Sequence, residues 1–141
     1  MKRLSVLVAS ALVFGLTFTA CSSDEDSTPA SIVGKWNNSK EMYNVGGQNF
    51  PEVAYDDHET GCAKDYLEFA EDGTWTIGDY YDTDCSLSTN SGSYVQDGKT
   101  LTWENGNTTV IKVSGSTLKL KTTETMDGMT MTTTETFTKF E

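Results

Sequence analysis

The clearest structural signal in the chain lies in residues 66–77, which read Tyr-Leu-Glu-Phe-Ala-Glu-Asp-Gly-Thr-Trp-Thr-Ile. Apolar and polar residues alternate on both sides of Asp72-Gly73, so Leu67 and Phe69 share one face of a strand. A type I′ turn needs two positive φ angles, and Asp-Gly meets that need at low steric cost. This stretch therefore predicts an antiparallel β-hairpin with one buried face and one wet face.

The same pattern continues toward the C terminus. Further turn signals are Asp97-Gly98, Asn105-Gly106, Ser114-Gly115 and Asp127-Gly128. Strands are predicted at 33–45, about 50–57 (weakly), 64–71, 74–81, 92–97, 100–104, 108–114, 117–125 and 129–140. An open sheet of this size would leave two unpaired edges, and closure removes both. We therefore expect an all-β fold, a small antiparallel up-and-down barrel of about eight strands, with a two-sheet sandwich as the alternative.

Composition removes several functional classes. The 141 residues include 10 Lys and Arg against 21 Asp and Glu, a net charge of −11, so we expect no nucleic-acid partner. One His and the lack of Cys-x-x-Cys exclude the common zinc and redox sites. The chain has no Gly-x-Ser-x-Gly, no Gly-rich phosphate loop and no His pair. We expect no catalytic residues, no cofactor and no enzyme activity.

Acidic residues cluster in two places, at 56–59 (Asp-Asp-His-Glu) and at 79–84 (Asp-Tyr-Tyr-Asp-Thr-Asp). Carboxylates in loops are ligands that Ca²⁺ prefers, but neither cluster fits the Asp-x-Asp/Asn-x-Asp/Asn-Gly pattern of a calcium loop. We expect both clusters to face water and no metal site to form.

The N terminus resembles a bacterial lipoprotein signal peptide. Met1-Lys2-Arg3 is a positive head, and an uncharged run follows from Leu4 to Ala20. Residues 18–21 (Phe-Thr-Ala-Cys) resemble a lipobox, whose cysteine is acylated with fatty chains such as palmitate and becomes the mature N terminus. A permanent transmembrane anchor is the alternative, although no basic flank follows the run. We expect Cys21 to carry the lipid and to hold the protein at a membrane.

This resemblance divides the chain into a signal peptide (1–20), a lipidated, acidic, flexible tether (21–31) and a domain (32–141). Ser22 directly after the cysteine is typical of transport to the outer membrane. The acidic run at 23–26 resembles a surface-export signal of some Gram-negative lipoproteins, and a plain solvated linker is the alternative. We expect a lipid-anchored protein of the cell outer membrane, and both display on the surface and a periplasmic orientation remain open. Removing Lys2 and Arg3 leaves 8 basic and 21 acidic residues, so the mature net charge is −13.

Cys62 and Cys85 remain once Cys21 is lipidated. An even pair of cysteines in an exported domain favours a disulfide. The two residues flank the hairpin around Asp72-Gly73, whose open ends lie side by side. We therefore expect a Cys62–Cys85 bond that ties both acidic clusters to one end of the barrel.

Several short motifs together resemble the lipocalin-like domain of bacterial outer-membrane lipoproteins. They are Gly34-Lys35-Trp36, Cys62 before the strand 66–69, the Asp72-Gly73-Thr74 hairpin and Gly92-Ser93-Tyr94. The resemblance implies a small barrel that binds an apolar ligand. It also implies that Trp36 closes the narrow end and that a basic residue of the last strand, here Lys139 in place of the usual Arg, stacks on it.

Candidate ligand-binding residues in the barrel interior are Trp36, Phe69, Trp75, Trp103 and Phe137. An eight-stranded barrel can be just filled by side chains, so a hollow and a filled interior both remain open. We expect a lipid-anchored, non-catalytic envelope protein that binds a small hydrophobic ligand. The alternative is an accessory surface lipoprotein with a filled barrel that binds another envelope or host protein through its acidic loops.

Overall fold

The computed structural model describes residues 31–140, and this part of the chain contains ten strands and no helix. The strands are β1 (Gly34–Val45), β2 (Gln48–Asn49), β3 (Val53–Ala54), β4 (Tyr66–Phe69), β5 (Thr74–Tyr81), β6 (Ser86–Asp97), β7 (Thr100–Trp103), β8 (Thr108–Ser114), β9 (Thr117–Met126) and β10 (Met129–Lys139). Within residues 31–140 no helix is long and apolar enough to cross a membrane. The expected signal peptide and nearly all of the tether lie outside the described residues.

Eight of the strands, β1 and β4 to β10, close into an antiparallel barrel. Each pairs with its neighbour in sequence, and β10 returns to pair with β1 from Trp36↔Lys139 to Val45↔Met131. The short strands β2 and β3 pair only with the second half of β1, on the edge that β4 occupies nearer the start of that strand. The expected up-and-down barrel is confirmed, and the sandwich is not formed.

Of the five predicted turn sites only Asp127-Gly128 has the expected type I′ geometry, and at Asp72-Gly73 and Asn105-Gly106 the glycine alone has positive φ. Asp127 and Gly128 both have positive φ (51° and 77°), as a type I′ turn requires. In the turns after β6 and β8 only Gly98 and Gly115 have positive φ, and each is the first of the two loop residues. That placement is typical of type II′ turns, so the type I′ expectation is wrong there.

Two strand predictions differ from the structure. Within the weak strand predicted at 50–57 only the two-residue strand β3 forms, and β2 lies just before that range. Strand β6 begins at Ser86 rather than at 92, because its first residues pair with β5 from Tyr81↔Ser86 onward. Residues 86–91 are Ser-Leu-Ser-Thr-Asn-Ser, and they lack the apolar alternation that indicates a half-buried strand.

The core fills one end of the barrel, here called the closed end, where β1 begins and β10 finishes. Its buried residues are Ile32, Trp36, Leu67, Phe69, Leu101, Ile111, Leu118, Leu120 and Phe137. Trp36 is 1% exposed and its indole Nε1 donates a hydrogen bond of 2.7 Å to the carbonyl of Ile32. The Nζ atom of Lys139 lies 5.3 Å from the centre of the Trp36 ring, so the stacking contact implied by the resemblance is present.

Residues 31–141, called the barrel domain below, include every strand of the described barrel. The closed strand ladder, the core and the disulfide described below all arise from residues 31–140. At the closed end β1 pairs with β10, so the described barrel has no unpaired sheet edge there.

Candidate functional site

A cavity of about 330 Å³ lies in the half of the barrel away from the closed end. This volume is at the lower end of the range for small-molecule sites. The lining residues come from β5, β7, β9, β10 and the turn between β7 and β8, and they are Trp75, Ile77, Trp103, Glu104, Asn105, Asn107, Leu120, Thr122 and Glu135. The interior is thus neither wholly hollow nor wholly filled: side chains pack one half, and the other half holds the cavity.

Unequal strand lengths open this cavity to solvent. β7 ends at Trp103 and β8 begins at Thr108, whereas their neighbours β6 and β9 run on past the 104–107 turn. Residues 86–93 of β6 therefore have no partner in β7, and residues 123–126 of β9 have none in β8. The barrel wall has a lateral opening above this turn, here called the notch. Ile77 faces the cavity and is 43% exposed, which shows that solvent reaches the interior.

Two tryptophans form the aromatic part of the wall. The rings of Trp75 and Trp103 meet edge to face, with centroids 5.8 Å apart at 87°. Trp103 is fixed by a hydrogen bond of 2.8 Å from its Nε1 to the hydroxyl of Thr109, which is in turn 2.8 Å from the hydroxyl of Thr122. The Nε1 atom of Trp75 is buried and has no hydrogen-bond partner among the described residues.

Gly92 makes room for this wall. It pairs with Trp75 across the β5–β6 ladder. A Cβ atom at this position would lie 2.8 Å from the carboxylate of Glu104 and 2.9 Å from the Trp75 ring, closer than real Cβ atoms approach. The absence of a side chain therefore lets the indole and the Glu104 carboxylate lie over β6, where the Ser93 amide donates to that carboxylate at 3.2 Å.

Glu135 places a carboxyl group on the inner face of β10. It lies opposite Leu120 of β9 and opposite Glu41 of β1, and it lines the cavity. Burial raises the pKa of Glu135, and the nearby charge of Glu41 raises it further. In the described part of the chain no Lys or Arg side chain forms an ion pair with Glu135.

Glu41 itself has a local partner. The Tyr43 hydroxyl donates a short hydrogen bond to the Glu41 carboxylate. This bond, with a smaller contribution from burial, raises the pKa of Tyr43 to about 12. The inner face of β1 therefore carries negative charge toward the open half of the barrel. Among the described residues no basic side chain forms an ion pair with Glu41.

The five residues predicted from the sequence to bind a ligand divide into two groups. Trp75 and Trp103 line the cavity. Trp36, Phe69 and Phe137 are at most 3% exposed and belong to the packed core at the closed end. The structure thus places two of the five beside the cavity and three in the packing beneath it.

Other lining residues escaped the sequence analysis. Glu135 is two positions before Phe137, so strand alternation places both side chains on the inner face of β10. An acidic residue on a face that otherwise points into the core is the signal that could have identified Glu135. Asn105 is predicted only as a turn residue and Asn107 has no predicted role, although that turn forms the rim of the notch.

Cys62 and Cys85 form the expected disulfide, with Cα atoms 5.3 Å apart. The bond joins the loop before β4 to the loop between β5 and β6, at the same end of the barrel as the notch. Within residues 31–140 no three His, Cys, Asp or Glu side chains are arranged to hold a metal ion.

His58 fixes the long loop between β3 and β4. Its Nδ1 accepts a hydrogen bond of 3.0 Å from the Asp65 amide, and its Nε2 lies 3.0 Å from the Asn38 carbonyl, to which it donates. The same Nδ1 lies 3.3 Å from the Asp65 carboxylate. That carboxylate is buried and accepts from the Tyr80 amide at 2.7 Å and the Tyr55 hydroxyl at 3.2 Å. Burial and the Asp65 charge raise the pKa of Tyr55.

Comparison with known proteins agrees with this architecture. The family model described as a lipocalin-like domain matches residues 32–120, which include Trp36, Trp75 and Trp103. A search of curated proteins finds no match to the chain. The matched segment covers more than half of the sequence, and the closed eight-stranded barrel has the form that the match implies. The chain belongs to the lipocalin-like domain family.

Proposed function

We propose that the protein binds a small hydrophobic ligand in the cavity of its barrel, without catalysis, and that it does so as a lipid-anchored protein of the cell envelope. The observation that carries the binding proposal is the cavity of about 330 Å³ lined by Trp75 and Trp103, which the core does not fill and which opens to solvent at the notch. A ligand there would remove from water the aromatic surface of Trp75 and Trp103 and the exposed side chain of Ile77. Such burial contributes about 25 cal/mol per Å² of apolar area.

The test uses N-phenyl-1-naphthylamine, a neutral apolar dye whose emission rises in an apolar site, with the barrel domain in its oxidised form. We expect saturable binding to one site. The variant Ile77→Trp enlarges a lining residue and should reduce the dye's affinity about tenfold or more, because its indole occupies the mouth of the cavity.

The matched control is Val95→Trp. Val95 is 68% exposed and lies on the outer face of β6, so the added ring should leave dye binding unchanged. Absence of saturable dye binding to the unaltered domain, or equal effects of the two variants, would remove the binding proposal.

The envelope location rests on the sequence of the first thirty residues. Cells grown with radioactive palmitate should label the protein, and Cys21→Ser should abolish the label while Cys62→Ser does not. Protease treatment of intact cells then distinguishes the two orientations. Digestion of the barrel supports display on the cell surface, whereas full protection contradicts it.

A second candidate function is binding of another envelope or host protein through the acidic loops. The observation in its favour is that the disulfide joins the two loops at the rim, where Asp56, Asp57, Asp82 and Asp84 are exposed. The discriminating experiment compares pull-downs by the unaltered protein and by a variant with these four residues changed to Asn. Unchanged partners would contradict this candidate, and unchanged dye binding by the same variant would leave the ligand proposal intact.

A further inference from the structure

The charges around the cavity indicate what kind of ligand it selects. Among the described lining residues, Glu104 and Glu135 are charged, and none is Lys or Arg. Glu41 lies directly opposite Glu135 in the β1–β10 ladder and adds a third carboxylate on the inner face. The cavity wall therefore combines aromatic and apolar surface with carboxylates, and its described lining holds no basic side chain.

Nearby lysines do not neutralise this charge. Lys119 and Lys121 flank Leu120 on β9, which places them on the opposite, outer face of the strand. Lys40 and Lys119 both bind the Glu52 carboxylate outside the barrel, at 3.0 Å and 3.6 Å. The Glu135 carboxyl thus lies in a partly dehydrated wall with a like charge beside it, an arrangement that a cation from outside would relieve.

From this arrangement we propose that the ligand is an amphiphile with an organic cation, an amine, as its polar group, and that Glu135 binds the ammonium while Trp75 and Trp103 contact the apolar part. The proposal rests on the proposed function, because it assigns the ligand class of the same cavity. The ammonium would donate charge-assisted hydrogen bonds to the Glu135 carboxylate. A carboxylate ligand of equal length would meet two or three like charges.

The experiment compares decylamine, decanol and decanoate as competitors of N-phenyl-1-naphthylamine at pH 7, with the barrel domain. The three compounds share one alkyl chain and differ in the charge of the polar group. We expect decylammonium to bind about tenfold more tightly than decanol, and decanoate to bind most weakly. Added salt should reduce the preference for the amine and leave decanol binding unchanged.

The variant Glu135→Gln tests the assigned residue. It should reduce the preference for decylammonium over decanol to about threefold or less and leave decanol affinity unaltered. Glu71→Gln removes one charge from an exposed turn at the closed end and serves as the matched control, in which the preference should persist.

The outcomes separate the two proposals. Binding of the dye and decanol with no preference for the amine, or a preference for decanoate, overturns the cation inference and leaves the proposed function standing. Absence of binding by the dye and by all three compounds overturns the proposed function itself. If Glu135→Gln fails to fold, the ranking of the three compounds on the unaltered domain still decides the inference.

Discussion

At Glu135 the inner face of β10 changes from apolar to polar. Toward the closed end its strand neighbour on the same face is the buried Phe137, and toward the open end it is Thr133. Glu135 faces Glu41 from β1 and Leu120 from β9, with Glu104 and the Tyr43 hydroxyl in the same open half of the barrel. A buried carboxylate with an acidic neighbour destabilises the folded chain without a ligand.

We predict that Glu135→Gln stabilises the ligand-free barrel domain at neutral pH, by about 1 kcal/mol. The pKa of Glu135 is higher in the folded than in the unfolded chain. Its contribution to stability is therefore full below the unfolded pKa and is lost as the pH rises through the folded pKa. The Gln variant and the unaltered domain should have equal free energies of unfolding near pH 3, and the variant should be more stable at pH 7.

Urea unfolding at a series of pH values measures this difference. Glu71→Gln, at an exposed turn, should show no such pH-dependent gain. A Glu135→Gln variant that is less stable than the unaltered domain at pH 7 would show that the carboxylate has a stabilising partner in the folded state.

Sequence reasoning reached some of the site residues and missed others for a physical reason. Trp75 and Trp103 were found because large aromatics on an alternating strand indicate an inner face. Glu135 and Thr122 lie on the same inner face but are polar, and period-2 alternation marks inward positions only where they are apolar. Where the inner face lines the cavity, polar residues replace apolar ones, and the apolar alternation no longer identifies the inward positions.

At the scale of single elements, the short strands β7 and β8 determine where the barrel opens. Asn105-Gly106 places a turn only a few residues above the core, and Gly106 has φ of +83° there. Past this turn, strand β6 pairs only with β5, and strand β9 pairs only with β10. The notch is thus a consequence of one early turn signal.

The disulfide between Cys62 and Cys85 holds the β4–β5 hairpin at its open end. It closes a loop with a sequence separation of 23, for which the chain-entropy account gives a stabilisation of about 3 kcal/mol. We predict that the double variant Cys62→Ser/Cys85→Ser loses about this free energy of unfolding. Its melting temperature should fall by on the order of 10–20 °C.

Calorimetry of the double variant and of the unaltered domain with and without reductant checks this prediction. Reduction of the unaltered domain should reproduce the loss, and reductant should not affect the double variant. A decrease of less than about 1 kcal/mol would show that hydrogen bonds such as those of Asp65 and His58 hold the loop without the bond.

Most element boundaries were predictable because turns and alternation agree. Strands β5 and β8 have the bounds read from the sequence, 74–81 and 108–114, and β7 and β9 differ by one residue. The start of β6 was not predictable, because Ser88 and Asn90 face the open half of the barrel, where no apolar contact is required. The weak strand predicted at 50–57 contains only β3, whose length is set by its pairing with Lys40 and Glu41 of β1.

At the scale of the whole molecule, the barrel domain carries a large excess of negative charge. Residues 31–141 contain 8 Lys against 18 Asp and Glu. Among residues 31–140, the ion pairs of lysine are those of Lys40 and Lys119 with Glu52, and both are on the surface. Repulsion among the remaining carboxylates opposes the compact state.

We predict that the melting temperature of the barrel domain at pH 7 rises when NaCl is increased from about 20 mM to about 300 mM, because salt screens this repulsion. A variant with Asp56→Asn, Asp57→Asn and Glu59→Gln should start from a higher melting temperature and respond less to salt. A melting temperature that falls with salt would show that the Glu52 pairs contribute more than the repulsion does.

The notch has a consequence for the range of molecules that the barrel can accommodate. A chamber sealed on every side sets an upper limit on guest length, since each added methylene must fit within fixed walls. Here the tail of a long guest can pass between the hairpins β5–β6 and β9–β10 and extend into water while its polar group stays beside Glu135. Affinity across a homologous series should therefore reach a plateau with increasing chain length instead of collapsing beyond a cutoff, and discrimination should depend on the girth and charge of the guest.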